Sequence, residues 1–131
     1  MSEFSRDRPE VLVVQWLTLQ APKTLFLSAI TIGEIRKGLI VLPEGRRRAE
    51  LETWFHTSLQ AWFRGRVLPV TQVIADRWGV LDGERQLRGT PLNTADGLIA
   101  ATAAENNLTV VTRNVKDFRG LGVDILNPWD Q

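Results

Sequence analysis

Leu108-Thr109-Val110-Val111-Thr112-Arg113-Asn114-Val115-Lys116-Asp117-Phe118 is the stretch on which the reading of this chain turns. A β-branched run too short for a helix gives way to polar residues, and a carboxylate follows three residues after Asn114. The arrangement occurs twice more. Leu25-Phe26-Leu27-Ser28 leads to Thr31 and Glu34, and Pro91-Leu92 leads to Asn93 and Asp96. In each, the polar residue suits a helix N-cap and the acid suits the third helical position, so that together they satisfy orphan backbone N–H groups. Taken singly, each is a cap of a kind found in most proteins. If the runs are parallel neighbours in one sheet, the three helix starts lie together at its carboxyl edge, where open α/β folds place their ligands. Glu34, Asp96 and Asp117 then share one cleft.

Working outward, short apolar runs at 24–28, 66–70, 108–112 and 123–126 read as strands. Helical periodicity runs from Pro9 to about Leu19, over 32–42 behind a Thr31 cap, over 46–63, from the Thr71 cap to Leu87, and over 94–106. Over 46–63, Leu51, Trp54, Phe55, Leu59 and Trp62 form the apolar stripe. Gly89 is placed to close the helix that begins after Thr71. Strands alternating with helices indicate an α/β fold, a mostly parallel sheet covered by helices rather than a bundle or a sandwich of sheets. No internal repeat longer than the strand-cap-acid unit is visible.

With 131 residues, 44% of them hydrophobic, residues 1–131 are expected to form a single domain with a real core. The net charge of +1 gives no electrostatic signature of a nucleic-acid binder and does not exclude one. Cysteine is absent, which removes disulfides and thiolate metal sites and fits a reducing compartment. No apolar run approaches the roughly 18 residues of a spanning helix, and the first residues are polar, so a cytoplasmic location is expected. Arg46-Arg47-Arg48 is flanked by Glu44, Glu50 and Glu52 and reads as a salt-bridged face rather than a phosphate-binding patch. His56, the single histidine, reads as structural.

Taken in order, residues 27–34 (Leu-Ser-Ala-Ile-Thr-Ile-Gly-Glu), 93–103 (Asn-Thr-Ala-Asp-Gly-Leu-Ile-Ala-Ala-Thr-Ala), 108–118 and Asn127-Pro128-Trp129 strongly resemble the PIN-domain toxins of VapC and FitB type. The resemblance implies a PIN-like three-layer sandwich with a mostly parallel central sheet, a homodimer, a small cognate antitoxin as partner, and RNA cleavage dependent on Mg²⁺ or Mn²⁺. Carried over by position, it places the second family acid on Glu34 and the third on Asp96. The fourth acidic position varies in the family and falls either on Asn114 or on Asp117. Asn114 carries no charge, so Asp117 is expected to supply that carboxylate, with Thr112 as the supporting hydroxyl at the strand end. The family opens with a strand ending in Asp-Thr-Asn, which has no counterpart before Ser2-Glu3. The first strand is therefore expected to be absent. The expected function is that of a toxin acting as a metal-dependent endoribonuclease, with metal-activated water attacking the phosphodiester in line. The alternative is a catalytically silent PIN-like protein that dimerises and binds an antitoxin.

The chemistry suits the acids. Two carboxylates about 5 Å apart repel by roughly 3 kcal/mol at an effective dielectric of 20, so a cluster persists when a proton or a cation sits within it. Mg²⁺ prefers hard oxygens and is content with one or two carboxylates and several waters.

Overall fold

The first helix begins on a serine rather than on the expected threonine. In the computed structural model, which describes residues 25–127, Ser28 is extended (φ −74°, ψ 145°) and its hydroxyl accepts from the Ile30 N–H at 3.0 Å. Helix α1 therefore spans Ala29–Ile40, directly after strand β1 (Leu27–Ser28). Thr31 lies inside the helix and Glu34 falls in its second turn. The capping box expected between these two residues is not formed, because Ser28 satisfies the orphan donors three residues earlier.

The chain divides into two compact units that part between Leu68 and Pro69. In the first, α1 is followed by α2 (Arg46–Trp54), a π-helical turn (Phe55–Leu59), α3 (Gln60–Trp62) and strand β2 (Val67–Leu68). β2 pairs in parallel with β1, Leu27 opposite Val67 and Ser28 opposite Leu68. Ile35 and Leu39 of α1 pack on Leu51, Phe55, Leu59 and Phe63. These last four recur every four residues. In a regular helix of 3.6 residues per turn such a row drifts by about 40° per step and would leave the core within three steps. The wider π turn takes up the drift, so the stripe expected from sequence runs on into Phe63, while Trp62 is 44% exposed.

Charged side chains brace this unit from outside. Glu52 receives Arg36 from α1, Arg48 at 3.5 Å and His56 Nε2 at 3.6 Å, and Arg46 faces Glu50 at 4.0 Å. The Arg36 hydrogen bond, with further help from Arg48, holds the Glu52 carboxyl below its ordinary value of 4.5. The Arg66 guanidinium donates to the Leu25 carbonyl at 3.0 Å and to the Trp62 carbonyl, and lies 5.2 Å from the centre of the Phe63 ring.

The second unit contains α4 (Gln72–Leu87), α5 (Thr94–Glu105), β3 (Val110–Val111), α6 (Val115–Phe118) and β4 (Ile125–Leu126). Thr71 caps α4 as expected, its hydroxyl accepting from the Ile74 N–H at 3.2 Å. Gly89, at φ +73°, ends it: Thr90 N–H donates to the Arg85 carbonyl and Gly89 N–H to that of Gln86, the paired bonds of a Schellman cap. Asn107 (φ +56°) does the same for α5 through bonds from Leu108 to Ala103 and from Asn107 to Ala104, and so turns the chain into β3. β3 and β4 are parallel, Val110 opposite Ile125 and Val111 opposite Leu126. Ala100, Ala103, Val110, Phe118 and Leu121 form the core of this unit.

Among the described residues the four strands thus form two parallel two-stranded ladders. The helix expected over 9–19, any strand before Leu25, and Pro128-Trp129 lie outside the described residues. No described helix is long and apolar enough to cross a membrane.

Leu59 is 1% exposed. Leu59→Ala should destabilise the protein by about 2–5 kcal/mol in urea unfolding, through lost transfer energy plus a cavity. Trp62→Ala should cost about 1 kcal/mol or less; a reversed order would show that the π turn does not set the stripe. Because its folded pKa is lowered, Glu52 contributes stability that is fully present above pH 4.5 and is lost as pH falls through the folded value. Glu52→Gln should therefore flatten the acid limb of the stability–pH curve, measured by urea unfolding between pH 3 and 6.

Candidate functional site

Asp96 is the acid most firmly placed by its surroundings. Asn93, extended at φ −64° and ψ 129°, directs its side-chain oxygen to the Asp96 N–H at 3.0 Å, and its carbonyl accepts from the Gly97 N–H at 2.9 Å. The carboxylate stands in the first turn of α5, where the helix dipole favours negative charge. Behind it the helix is made of small residues: Ala100, Ala101, Thr102 and Ala103 are buried, and the Thr102 hydroxyl returns to the Leu98 carbonyl at 2.7 Å. Small side chains bring the α5 backbone close to its neighbours. Asp96 itself is half-buried.

Beyond β3, Thr112 is 4% exposed. Its N–H extends the ladder to the Leu126 carbonyl at 3.0 Å, and its hydroxyl accepts from the Asn114 N–H at 3.0 Å. The strand end is thereby tied to the start of α6, where Asn114 occupies the N-cap position and its carbonyl accepts from the Asp117 N–H at 3.1 Å. The Asn114 side chain makes no cap bond to α6. Asp117 is exposed in that first turn, its neighbour Phe118 is buried, and α6 packs on α5 and β4. Asp96, Thr112, Asn114 and Asp117 therefore sit on adjoining elements of one unit. Glu34 belongs to the other unit; it is half-buried on α1, with Oε1 shielded from solvent.

Among the described residues no group of three or more His, Cys, Asp or Glu side chains is placed to hold a metal ion. The donors at the second unit's helix starts are all hard oxygens: two carboxylates, a hydroxyl and an amide. That set suits Mg²⁺ or Mn²⁺, which need few protein carboxylates, and not the softer metals.

One contact beside Asp96 was not foreseen. Gly97, buried in the first turn of α5, lies so close to Trp78 of α4 that an added Cβ would stand 2.9 Å from the indole Cδ1, 3.1 Å from Nε1 and 2.7 Å from Leu92 Cδ2. The Trp78 Nε1–H is buried with no hydrogen-bond partner among the described residues. A glycine inside a helix costs about 1 kcal/mol relative to alanine, and a buried donor left unsatisfied about 1–3 kcal/mol. The sequence signal is a glycine inside a helical pattern directly after an acid, which asks for a packing explanation.

Comparison with known proteins accounts for this architecture. The PIN domain matches residues 1–122, across both units. The chain belongs to the PIN-domain family. It is 35% identical over 130 residues to the VapC ribonuclease Y4jK of Sinorhizobium fredii, covering 99% of this chain and 93% of that protein. It is also 35% identical over 129 residues to the toxin FitB of Neisseria gonorrhoeae, covering 98% and 93%. The crystal structure of FitAcB from Neisseria gonorrhoeae superposes with a TM-score of 0.82 at 35% identity, over 99% of this chain and 94% of that one. The PIN fold expected from the motifs is the fold that is found.

If Asn93 is the cap that sets Asp96, Asn93→Ala should cost about 1 kcal/mol in urea unfolding and Asn93→Ser should cost little, since serine caps as well as asparagine does. Equal losses for both would point to another role for the Asn93 amide.

Proposed function

We propose that this PIN protein is the toxin of a toxin–antitoxin pair and a Mg²⁺- or Mn²⁺-dependent endoribonuclease. The observation that carries the proposal is Asp96, a carboxylate held by a satisfied cap at a helix start, in a chain 35% identical over nearly its whole length to a VapC ribonuclease. Asp96, Asp117 and Glu34 are proposed as the acids that hold the cation, directly or through water, with Thr112 and Asn114 in support. When bound, the metal lowers the pKa of an attacking water and neutralises charge on the phosphoryl oxygens during in-line displacement.

The chain's own residues contribute placement and charge. The Asn93 side chain fixes the Asp96 backbone, and so limits the positions its carboxylate can take. The Thr112 hydroxyl, by accepting from Asn114, holds the loop that carries Asp117. The acids exclude a second anion unless a cation accompanies it, so the RNA phosphate and the metal are expected to bind together. Likeness to FitB favours a cognate antitoxin as the restraining partner, and by the same likeness the toxin is proposed to act as a homodimer in the cytoplasm.

Asp96→Asn retains the size of the side chain and leaves the Asn93 cap on its backbone N–H in place, while removing the charge that balances the cation. RNA cleavage by this variant should fall by at least about 10²-fold, with the urea midpoint close to wild type. EDTA should abolish wild-type cleavage, and Mg²⁺ or Mn²⁺ should restore it. Equal cleavage by the wild type, the variant and the EDTA-treated protein would overturn the enzymatic assignment in favour of a silent, antitoxin-binding PIN protein.

A further inference from the structure

We infer that Trp78 is a positioning residue for Asp96, acting through a slot that Gly97 leaves open in the first turn of α5. The inference rests on the proposed role of Asp96 as a metal-holding acid. The indole of Trp78, from the middle of α4, occupies the space that a Cβ at residue 97 would need, with Leu92 Cδ2 closing the other side. Gly97 is the residue after Asp96 in the chain, so whatever fixes the depth of Gly97 fixes the backbone from which the Asp96 carboxylate projects.

Two local rules are broken at this one contact. A flexible glycine stands inside an otherwise alanine-rich helix, and an indole N–H, which usually finds an acceptor when buried, has none among the described residues. Either could be relieved by a single substitution: alanine at 97 would favour the helix, and phenylalanine at 78 would remove the orphan donor. Such conflicts between local preference and global fold gather where function fixes the geometry. The flat ring supplies what function needs here, a rigid surface with few rotatable bonds against which the turn rests. Asn93 holds the same turn from the chain side, at the Asp96 N–H. The backbone from which the carboxylate projects is therefore held by a cap on one side and a ring on the other. Groups of this kind, one step removed from a metal ligand, typically change metal affinity or activity by 10–100-fold when lost.

The test measures Mn²⁺ binding directly, by electron paramagnetic resonance of the free ion in the absence of RNA, beside urea stability and RNA cleavage. Gly97→Ala, which drives the turn off the ring, and Trp78→Ala, which removes the ring, should each weaken Mn²⁺ binding by about tenfold or more. Trp78→Phe, which retains an aromatic ring but loses the five-membered ring with its N–H, should restore most of the Mn²⁺ affinity lost in Trp78→Ala. Ile74→Ala serves as the control: it opens a cavity on the same helix at a side chain 2% exposed, and should lower stability while leaving Mn²⁺ affinity unchanged. Wild-type Mn²⁺ affinity in both Gly97→Ala and Trp78→Ala would overturn the inference, as would losses no greater than that of Ile74→Ala. Asp96→Asn separates the two levels. If it binds Mn²⁺ like wild type, the metal-holding role of Asp96 has failed and the positioning role falls with it; if it does not bind while Gly97→Ala does, only the positioning role has failed.

Discussion

Each described strand is two residues long, too short to aim the helix that follows. The constraint on which this structure depends is instead the satisfaction of backbone donors where the chain enters a helix. Ser28, Thr71, Asn93 and Thr112 each accept a backbone N–H through a side-chain oxygen, and each does so at or next to a change of element. A cap of this kind is worth only about 1 kcal/mol, but it has direction. It fixes the residue at which the helix begins, hence which side chains fall in the first turn and which face is buried. The parallel ladders then need to supply register and little else.

The difference between Glu34 and Asp96 shows what such a constraint does to a carboxylate. Asp96 is the third residue of its helix and its own N–H is bonded to the cap; Glu34 is in the second turn, because Ser28 starts α1 early. From sequence the two look alike, a polar residue with an acid three positions on. Ser28 and Thr31 are both good caps, and the choice between them depends on where β1 stops, which is set by pairing with Val67 and Leu68 some forty residues away. Local letters could not decide it. At 93–96, Pro91 disfavours a helical Thr90, and the cap is where it was expected.

The same distinction separates the rest of what was legible from what was not. Alternation of short apolar runs and helical stripes was enough for the α/β class, and the ordered motifs around Glu34, Asp96 and Asp117 were enough for the PIN family. The π turn at Phe55–Leu59 was not legible, because spacings of three and four are compatible with a regular helix, and only the need to bury Phe63 with Leu51 forces the wider turn. The Trp78–Gly97 contact was hidden for a different reason. It joins two helices through the absence of a side chain, and a glycine does not say what will fill the space it leaves.

Asp117, proposed above as the family's variable acid, stands on a helix of four residues, exposed, and fastened to β3 by one hydroxyl. Asp96 stands on a helix of twelve residues with a buried alanine face. If both hold one cation, they do so with unequal stiffness: Asp96 gives a fixed reference, and Asp117 can adjust as a hydrated ion and a phosphate arrive. Mg²⁺ demands near-ideal octahedral geometry but retains waters that absorb misfit, so one rigid and one compliant carboxylate is a workable division. It also places the demand for preorganisation on α5, and so on whatever packs against its first turn. A helix start that is capped, dipole-stabilised and pressed against an aromatic ring meets that demand with backbone geometry.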